Sequence, residues 1–232
     1  MNIAILSCNT GGGHNSAAAA IARELDAQGH TYKIYNTLDF LPPSSARLIS
    51  RGHDFAYRHA PKLYGAGYRY EEKHPPVLLY EQCGKGCLPL WEALTEQGAQ
   101  AVICVHVFPA MMMTELSGRG LYLPSYFVAT DYTCSPGVSE LVVDGICIPH
   151  PLLAEEFAAA GLPADRLYPT GIPVSPEFAP AADREAVRVK LHMVGRSHVL
   201  VLACGSMGAG PLRGAAEVIR QQLGEDDLLV VV

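Results

Sequence analysis

The residues of this chain best suited to chemistry form a glycine-rich loop near its N-terminus. Thr10 is followed by three glycines and then by His14, between an apolar run and a segment with helical periodicity. Glycines let a ligand approach the backbone closely, and the N–H groups at the start of a helix bind phosphate or another anion. At the mouth of that helix, His14 can act as a general base or as a hydrogen-bond donor to the ligand. A tight turn with a surface histidine is the simpler alternative.

Two more polar residues follow apolar runs that are typical of strands. His106 follows the run Ala101–Val105, and Asp131 follows the run Ser125–Ala129. In open α/β sheets, ligands bind beyond the carboxyl ends of the strands. We therefore expect both side chains to lie in one crevice with His14. Taken singly, either residue could instead cap the segment that follows it.

A second glycine loop lies late in the chain. Gly205, Ser206 and Gly208 follow the apolar run His198–Ala203, and Met207 stands among them. Backbone N–H groups in such a turn form a second possible phosphate cradle.

Strand-like and helix-like segments alternate along the chain and position these residues. The predicted strands are Ile3–Ser7, Thr31–Asn36, Ala101–Val105, Ser125–Ala129 and Val142–Ile148. The predicted helices include Asn15–Gln28, capped by Gly29, and Pro151–Ala160, closed by Gly161. Alternation of this kind predicts an α/β fold with a doubly wound, Rossmann-like parallel sheet.

The same alternation restarts near the C-terminus. His198–Ala203 reads as a strand and Leu212–Leu223 as a helix, and the chain ends within the apolar run Leu228–Val232. We therefore predict a first domain over residues 1–180 and the start of a second Rossmann-like domain over 181–232. A complete domain of that kind needs roughly 100 residues, so this second domain is expected to be truncated.

Composition limits the class of protein. The chain has 232 residues, of which 49% are hydrophobic, and its formal net charge is −6. These values favour a packed core and disfavour a nucleic-acid partner held by bulk electrostatics. The sequence shows neither a transmembrane helix nor the basic start of a secretion signal. Seven scattered cysteines are best interpreted as reduced, mostly buried thiols, since no second pair stands at zinc spacing.

An insert over residues 41–81 differs from the rest of the chain. It is rich in Tyr, His, Arg and Pro, and residues 44–74 carry six bases against three acids. We predict loops and short helices there. Aromatic and basic groups such as Arg58, Lys62, Tyr64 and Tyr68 suit a membrane interface, where aromatics lie at headgroup depth and bases meet anionic lipid. An ordinary amphipathic cover over the sheet is the alternative.

Several motifs in order resemble one family. They are SCNTGGGHNSAAAAIARELDAQG, APKLY, VICVHVFPA, VATDY, IPHPLLAEEF, YPTGIPVSPEF and LACGSMG. Together they resemble the monogalactosyldiacylglycerol synthase and processive diacylglycerol glucosyltransferase family, which is related to the lipid II-forming peptidoglycan transferase. The likeness covers nearly the whole chain.

The resemblance implies an inverting glycosyltransferase of the two-domain GT-B type. It implies transfer of a hexosyl or N-acetylhexosaminyl group from a UDP-sugar to a lipid hydroxyl such as that of diacylglycerol. No cofactor is implied and no metal is obligatory, because helix dipoles and backbone N–H groups can carry the diphosphate. The first domain would face acceptor and membrane, and the second would bind the nucleotide-sugar. The implied setting is cytoplasmic, peripheral on the inner face of the cell membrane.

By position, the resemblance also gives roles to individual residues. His14 is the first candidate for acceptor activation, and Asp131 is the second. The donor-binding candidates are Gly12, Gly13, Gly205, Ser206 and Met207. The acceptor and membrane candidates are His106, Arg58, Lys62, Tyr64 and Tyr68.

Two other functions stay open on the sequence. One is a non-catalytic fragment that binds membrane or acceptor. The other is a GT-B-like enzyme such as a UDP-sugar 2-epimerase acting on a soluble substrate, which would have no need of the basic aromatic insert.

Overall fold

The computed structural model describes residues 1–50, 70, 77–205 and 210–232 of the chain. Contacts divide the chain into two compact units, Met1–Ser175 and Pro176–Val232. The first unit therefore ends a few residues before the predicted boundary. The roles predicted for the two parts stay predictions.

The first unit is built on a parallel sheet of six strands in the order β2-β1-β3-β4-β5-β6. The strands are β1 (Asn2–Ser7), β2 (Thr31–Asn36), β3 (Ala101–Cys104), β4 (Ser125–Val128), β5 (Gly145–Cys147) and β6 (Leu167–Tyr168). This arrangement confirms the predicted α/β class with a doubly wound parallel sheet.

Helices join these strands. They are α1 (Gly12–Ala27), α2 (Val77–Gly84), α3 (Cys87–Gln97), α4 (Val107–Gly118) and α5 (Ala154–Ala159), with 3-10 turns at Thr37–Phe40 and Pro151–Leu153. Residues 43–50 are also helical. In the described part of the chain, no helix is long and apolar enough to cross a bilayer.

The order in which the chain adds strands to the sheet reverses direction at β1. The chain runs from β1 through α1 to β2 on one side, and β3 then pairs with the opposite side of β1. In parallel sheets such a switch point opens a crevice between the loops that leave the two neighbouring strands. The loops after β1 and β3 therefore flank the crevice, and these loops carry the glycines and His106.

Alternate residues of the strands bury opposite faces of the sheet. Ile3 and Ile5 of β1 pack under α1, against Ala18, Ala22 and Leu25. The intervening residues of β1, with inward residues of the neighbouring strands, form the larger core. That core includes Ala4, Leu6, Val102, Phe127, Leu90, Leu94, Met112 and Leu116. Period-two alternation thus fixes which face each strand residue covers.

Two helices end at a glycine cap, and the cap at Gly29 is the predicted one. After α1, the N–H of Gly29 bonds to Asp26 and that of His30 bonds to Leu25, at 3.1 and 2.9 Å. Gly29 has φ +71°, the left-handed geometry that glycine adopts without steric cost. Gly98 ends α3 with the same pair of bonds. This is the Schellman arrangement, which satisfies the last carbonyls of a helix.

Several element bounds differ from the predicted ones. Helix α1 begins at Gly12, three residues before the predicted start at Asn15. Gly12 and Gly13 therefore lie in the first turn of the helix, and Gly11 is its N-cap residue. They can do so because N–H groups of a first turn have no intrahelical acceptor to align with. The segment Pro151–Ala160 forms a 3-10 turn and then the short α5, instead of one helix.

The second unit repeats the pattern on a smaller scale. Parallel strands β7 (Val199–Leu202) and β8 (Leu228–Val231) pair in register, with helices α6 (Arg184–Lys190) and α7 (Leu212–Arg220) beside them. The predicted strand and the predicted helix are both present in this unit, and residues 206–209 of the predicted glycine loop lie outside the described residues.

Candidate functional site

The N-terminus of α1 lies at the carboxyl edge of the sheet and is not capped by a side chain. Gly11 is its N-cap residue, with an extended backbone at φ 177° and ψ 167°, and the helix has no side-chain capping hydrogen bond. The first turn also carries no acidic residue. A 16-residue helix therefore directs its N-terminal N–H donors and the positive end of its dipole toward this edge.

Two of the glycines leave room at that N-terminus. A Cβ atom added to Gly11 or to Gly13 would meet no other atom within 4 Å. Neither residue has a left-handed backbone, so the conformation does not require glycine at either position. The missing side chains leave open space beside the start of α1. A phosphate group needs such space to approach a helix N-terminus.

His14 completes the first turn of α1, and its ring is held from two sides. Its Nδ1 atom lies 2.9 Å from the carbonyl oxygen of Val105 and 2.9 Å from the hydroxyl oxygen of Thr130. A carbonyl oxygen only accepts hydrogen bonds, so we assign the ring proton to Nδ1. The lone pair of the neutral ring then lies on Nε2. Within the described residues, no hydrogen bond engages Nε2, so this atom can accept a proton.

His106 lies beside His14 and is almost fully buried, with 9% of its surface exposed. It is the N-cap residue of α4, and its Nδ1 accepts the N–H of Phe108 at 3.0 Å. Its Nε2 lies 3.2 Å from the hydroxyl oxygen of Thr10. The rings of His106 and His14 meet edge to face, with centroids 4.5 Å apart. The structure thus brings the two histidines together, as the strand ends predicted. Both ring nitrogens of His106 bond within the protein, and its predicted acceptor contact stays a prediction.

Asp131 follows β4 at the same edge but is exposed. Its carboxylate accepts the hydroxyl of Ser135 at 3.3 Å. Among the described residues, no hydrogen bond joins Asp131 to His14. The preceding Thr130 makes that contact instead, so the strand end predicted the neighbourhood and not the contacting residue.

Glu156 anchors the loop that follows β4. One of its carboxylate oxygens accepts the hydroxyl of Thr133 and the N–H of Cys134, each at 2.7 Å. The bond from the Cys134 N–H, helped by that from Thr133, lowers the pKa of Glu156. The sequence gives no signal for this role of Glu156, because no local pattern links α5 to a loop more than twenty residues earlier.

Asparagine side chains hold the start of the glycine loop. The side-chain amide of Asn15 donates to the side-chain oxygen of Asn9 at 2.8 Å, and its own oxygen accepts the hydroxyl of Ser7 at 2.6 Å. The N–H of Asn9 bonds to the side-chain oxygen of Asn36, at the end of β2, at 3.1 Å. These hydrogen bonds tie the glycine loop to the ends of β1 and β2.

The remaining predicted residues fall in other places. Gly205 follows β7 in the second unit and has φ +41°. The other predicted donor and membrane residues lie outside the described residues: Ser206, Met207, Arg58, Lys62, Tyr64 and Tyr68.

Several of the cysteines are deeply buried. Burial raises the pKa of Cys8 and of Cys83 to about 12. Burial also raises the pKa of Cys104, which is completely enclosed. At neutral pH these thiols are protonated and unreactive. In the part of the chain that the structure describes, no group of His, Cys, Asp and Glu side chains could hold a metal ion.

Known proteins resemble this chain in sequence. The family model described as monogalactosyldiacylglycerol (MGDG) synthase matches residues 14–174. The chloroplastic monogalactosyldiacylglycerol synthase of Spinacia oleracea is 25% identical over 244 residues, which cover 97% of this chain and 45% of that protein. The processive diacylglycerol β-glucosyltransferase of Bacillus licheniformis is 22% identical, over all of this chain and 60% of that protein. The chain spans about half the length of these curated relatives.

Solved structures share the fold. The spinosyn rhamnosyltransferase SpnG, complexed with spinosyn aglycone, has a TM-score of 0.56 at 14% identity, covering 100% of this chain and 65% of that one. MurG of Acinetobacter baumannii has a TM-score of 0.52 at 12% identity, with the same coverage. A UDP-GlcNAc 2-epimerase of Neisseria meningitidis, bound to UDP-GlcNAc, has a TM-score of 0.52 at 10% identity, covering 100% and 72%. These likenesses confirm the predicted GT-B fold, which transferases and an epimerase share.

Proposed function

The chain belongs to the monogalactosyldiacylglycerol synthase family, and on that basis we propose that it serves glycosyl transfer from a UDP-sugar to a diacylglycerol-type lipid. The relatives named above are a galactolipid synthase and a diacylglycerol glucosyltransferase. The observation that carries the proposal is the oriented His14 ring at the N-terminus of α1. One helix start there combines a proton acceptor with a site for an anion.

The acceptor hydroxyl is the group that His14 would activate. Nε2 of His14 takes the proton while the hydroxyl oxygen forms a bond to the anomeric carbon of the sugar. The bond from that carbon to the diphosphate oxygen breaks on the opposite face, and UDP leaves with the electron pair. The configuration of the anomeric carbon is therefore inverted. Proton transfer by a positioned base contributes about 10²- to 10⁴-fold to the rate of such a step.

The held Nδ1 atom supports this role. Because Nδ1–H donates to the Val105 carbonyl, the ring keeps a single tautomer and a single orientation. When Nε2 accepts the proton, the ring becomes a cation whose Nδ1–H still faces two oxygen atoms, those of Val105 and Thr130. Hydrogen bonds to a charged donor are stronger than those to a neutral one, so the protonated ring is stabilised where it stands.

The leaving diphosphate would meet the N-terminal donors of α1. Gly12 and Gly13 lie in its first turn, and the open space over Gly13 admits an anion. A helix N-terminus stabilises negative charge as it develops on the leaving group. By its place in the family motif LACGSMG, Gly205 of the second unit is a further candidate for donor binding. We expect no metal to be required for these contacts.

We also propose that the protein acts at the cytoplasmic face of the cell membrane as a peripheral protein. Diacylglycerol is a membrane lipid, and the excess of bases in residues 44–74 suits an anionic surface. The two alternative functions, a non-catalytic binding fragment and a UDP-sugar epimerase, are outcomes that the test can identify. An epimerase is favoured only by the fold, which it shares, whereas the family match favours the transferase.

The test is a sugar-transfer assay on this chain and, because the chain spans about half the length of its curated relatives, on a form extended with the remaining part of such a relative. Radiolabelled UDP-galactose, UDP-glucose and UDP-N-acetylglucosamine are offered with vesicles containing diacylglycerol and anionic lipid. We expect labelled glycolipid with one donor from the extended form, and a loss of about 10²- to 10⁴-fold in its His14→Ala variant. His30→Ala is the control, because His30 stands before β2, at the opposite edge of the sheet, where it contacts the N-terminal amine.

Three results would contradict the proposal. A changed sugar nucleotide without glycolipid would identify an epimerase. Vesicle binding without turnover of any donor would leave a membrane-binding fragment. Equal activity in His14→Ala and the unchanged chain would remove His14 from the mechanism.

A further inference from the structure

Two adjacent residues, Val105 and His106, fix the two sides of the glycine loop. The glycine loop means residues 8–14, which include the first residues of α1 from Gly12 onward. The carbonyl of Val105 accepts Nδ1–H of His14, at one end of the loop. The ring of His106 contacts Thr10 near the other end, at 3.2 Å. A single turn after β3 therefore positions both the loop and its histidine, across about 90 residues of sequence.

The contacts of His106 define its tautomer. The N–H of Phe108 can only donate, so Nδ1 of His106 must accept and carries no proton. The ring proton of neutral His106 is then on Nε2, which donates to the Thr10 hydroxyl. A proton on Nδ1 would set two donors against each other and would remove the cap of α4. These contacts therefore select the tautomer of His106 that is protonated on Nε2, the opposite tautomer to that of His14.

We propose that His106 is a positioning residue: it holds the glycine loop against α4 and packs against the His14 ring, so that this ring stays against the Val105 carbonyl that fixes its tautomer. His106 acts through Thr10 and through edge-to-face contact with the His14 ring at 4.5 Å. It makes this contribution without touching substrate. The catalytic consequence rests on the proposed function, while the effect on the tautomer of His14 does not.

Two substitutions separate positioning from helix capping. Asn is among the best N-cap residues, so His106→Asn keeps an acceptor for the N–H of Phe108. Its shorter side chain has no atom equivalent to Nε2, so the bond to Thr10 and the ring contact are lost. Thr10→Val removes the hydroxyl and keeps the shape of the side chain. Thr10→Ser restores the hydroxyl and is the rescue variant.

The measurement is the ring tautomer of His14 in the whole chain. Long-range proton–nitrogen NMR distinguishes protonated from unprotonated ring nitrogens, and His14→Gln assigns the signals. In the unchanged chain we expect His14 protonated on Nδ1 and His106 on Nε2. In His106→Asn and in Thr10→Val we expect His14 to become a mixture of tautomers, and in Thr10→Ser to return to one. Circular dichroism should show that His106→Asn remains folded, with a lowered unfolding temperature because a buried ring is shortened.

The proposal is overturned if His14 keeps one tautomer, with the same nitrogen shifts, in His106→Asn and Thr10→Val. It is also overturned if the unchanged chain shows His14 protonated on Nε2. In the sugar-transfer assay we expect kcat to fall roughly 10- to 100-fold in Thr10→Val with KM little changed, since only the orientation of the base is altered. Absence of transfer in the extended form as well as in this chain would defeat the proposed function, and the NMR result would still decide the role of His106.

Discussion

Replacing Gly13 by alanine separates what the glycine loop does for folding from what it does for a ligand. Gly13 lies in the first turn of α1 with ordinary backbone geometry, and an added methyl group meets no atom within 4 Å. In a helix, alanine is favoured over glycine by up to about 1 kcal/mol. We therefore expect Gly13→Ala to fold normally and to unfold at the same temperature or a few degrees higher.

Ligand binding should change in the opposite direction. The methyl group would occupy the space through which a diphosphate reaches the N-terminal donors. A hydrogen bond to a charged group contributes about 1.5–3 kcal/mol. Losing one such bond weakens binding by roughly 10- to 150-fold, at about 1.4 kcal/mol for each factor of ten. The assay is calorimetric titration of the chain with UDP, alongside thermal unfolding followed by circular dichroism.

Gly118→Ala is the matched control. Gly118 is the last residue of α4, and an added methyl group there also meets nothing within 4 Å. It lies one helix length from the crevice, about 18 Å for a 12-residue helix. Stability without loss of UDP affinity is expected for this variant. If Gly13→Ala bound UDP as tightly as Gly118→Ala does, the loop would not hold the diphosphate. A marked fall in the unfolding temperature of Gly13→Ala would show that the steric reasoning is wrong.

Three further predictions concern stability and reactivity. The pKa of Glu156 is lowered in the folded protein, so the stability it adds is present above the ordinary carboxyl range and is lost as the pH falls through the folded pKa. Glu156→Gln should therefore be less stable than the unchanged chain at pH 7, with the difference fading below roughly pH 4 in urea titrations. Phe157 is fully buried, so Phe157→Ala should lower the free energy of unfolding by about 3–5 kcal/mol, while the exposed Leu152→Ala should change it little. With a pKa near 12, Cys8 and Cys83 should resist a thiol reagent at pH 8 until the chain is unfolded in urea, and rapid labelling of the folded chain would contradict their burial.

The sequence by itself determined the class of fold and the edge of the sheet that carries the site. Strands and helices alternate visibly, because apolar periodicity is a local property of the chain. His14, His106 and Asp131 could be placed at one edge from the strand ends alone, because the carboxyl ends of parallel strands share an edge. Gly29 likewise predicted the end of α1, because only the local backbone decides a left-handed cap.

Only the tertiary structure decided which side chains meet at that edge. Whether Thr130 or Asp131 reaches His14 depends on the pairing of β3 with β4, which no short pattern contains. The tautomer of His14 is set by the carbonyl of Val105, and that carbonyl is brought near by the pairing of β1 with β3. Hydrogen bonds of this kind join residues about 90 to 115 positions apart. Their geometry follows from the order of the strands in the sheet, and the sheet order is a property of the folded chain.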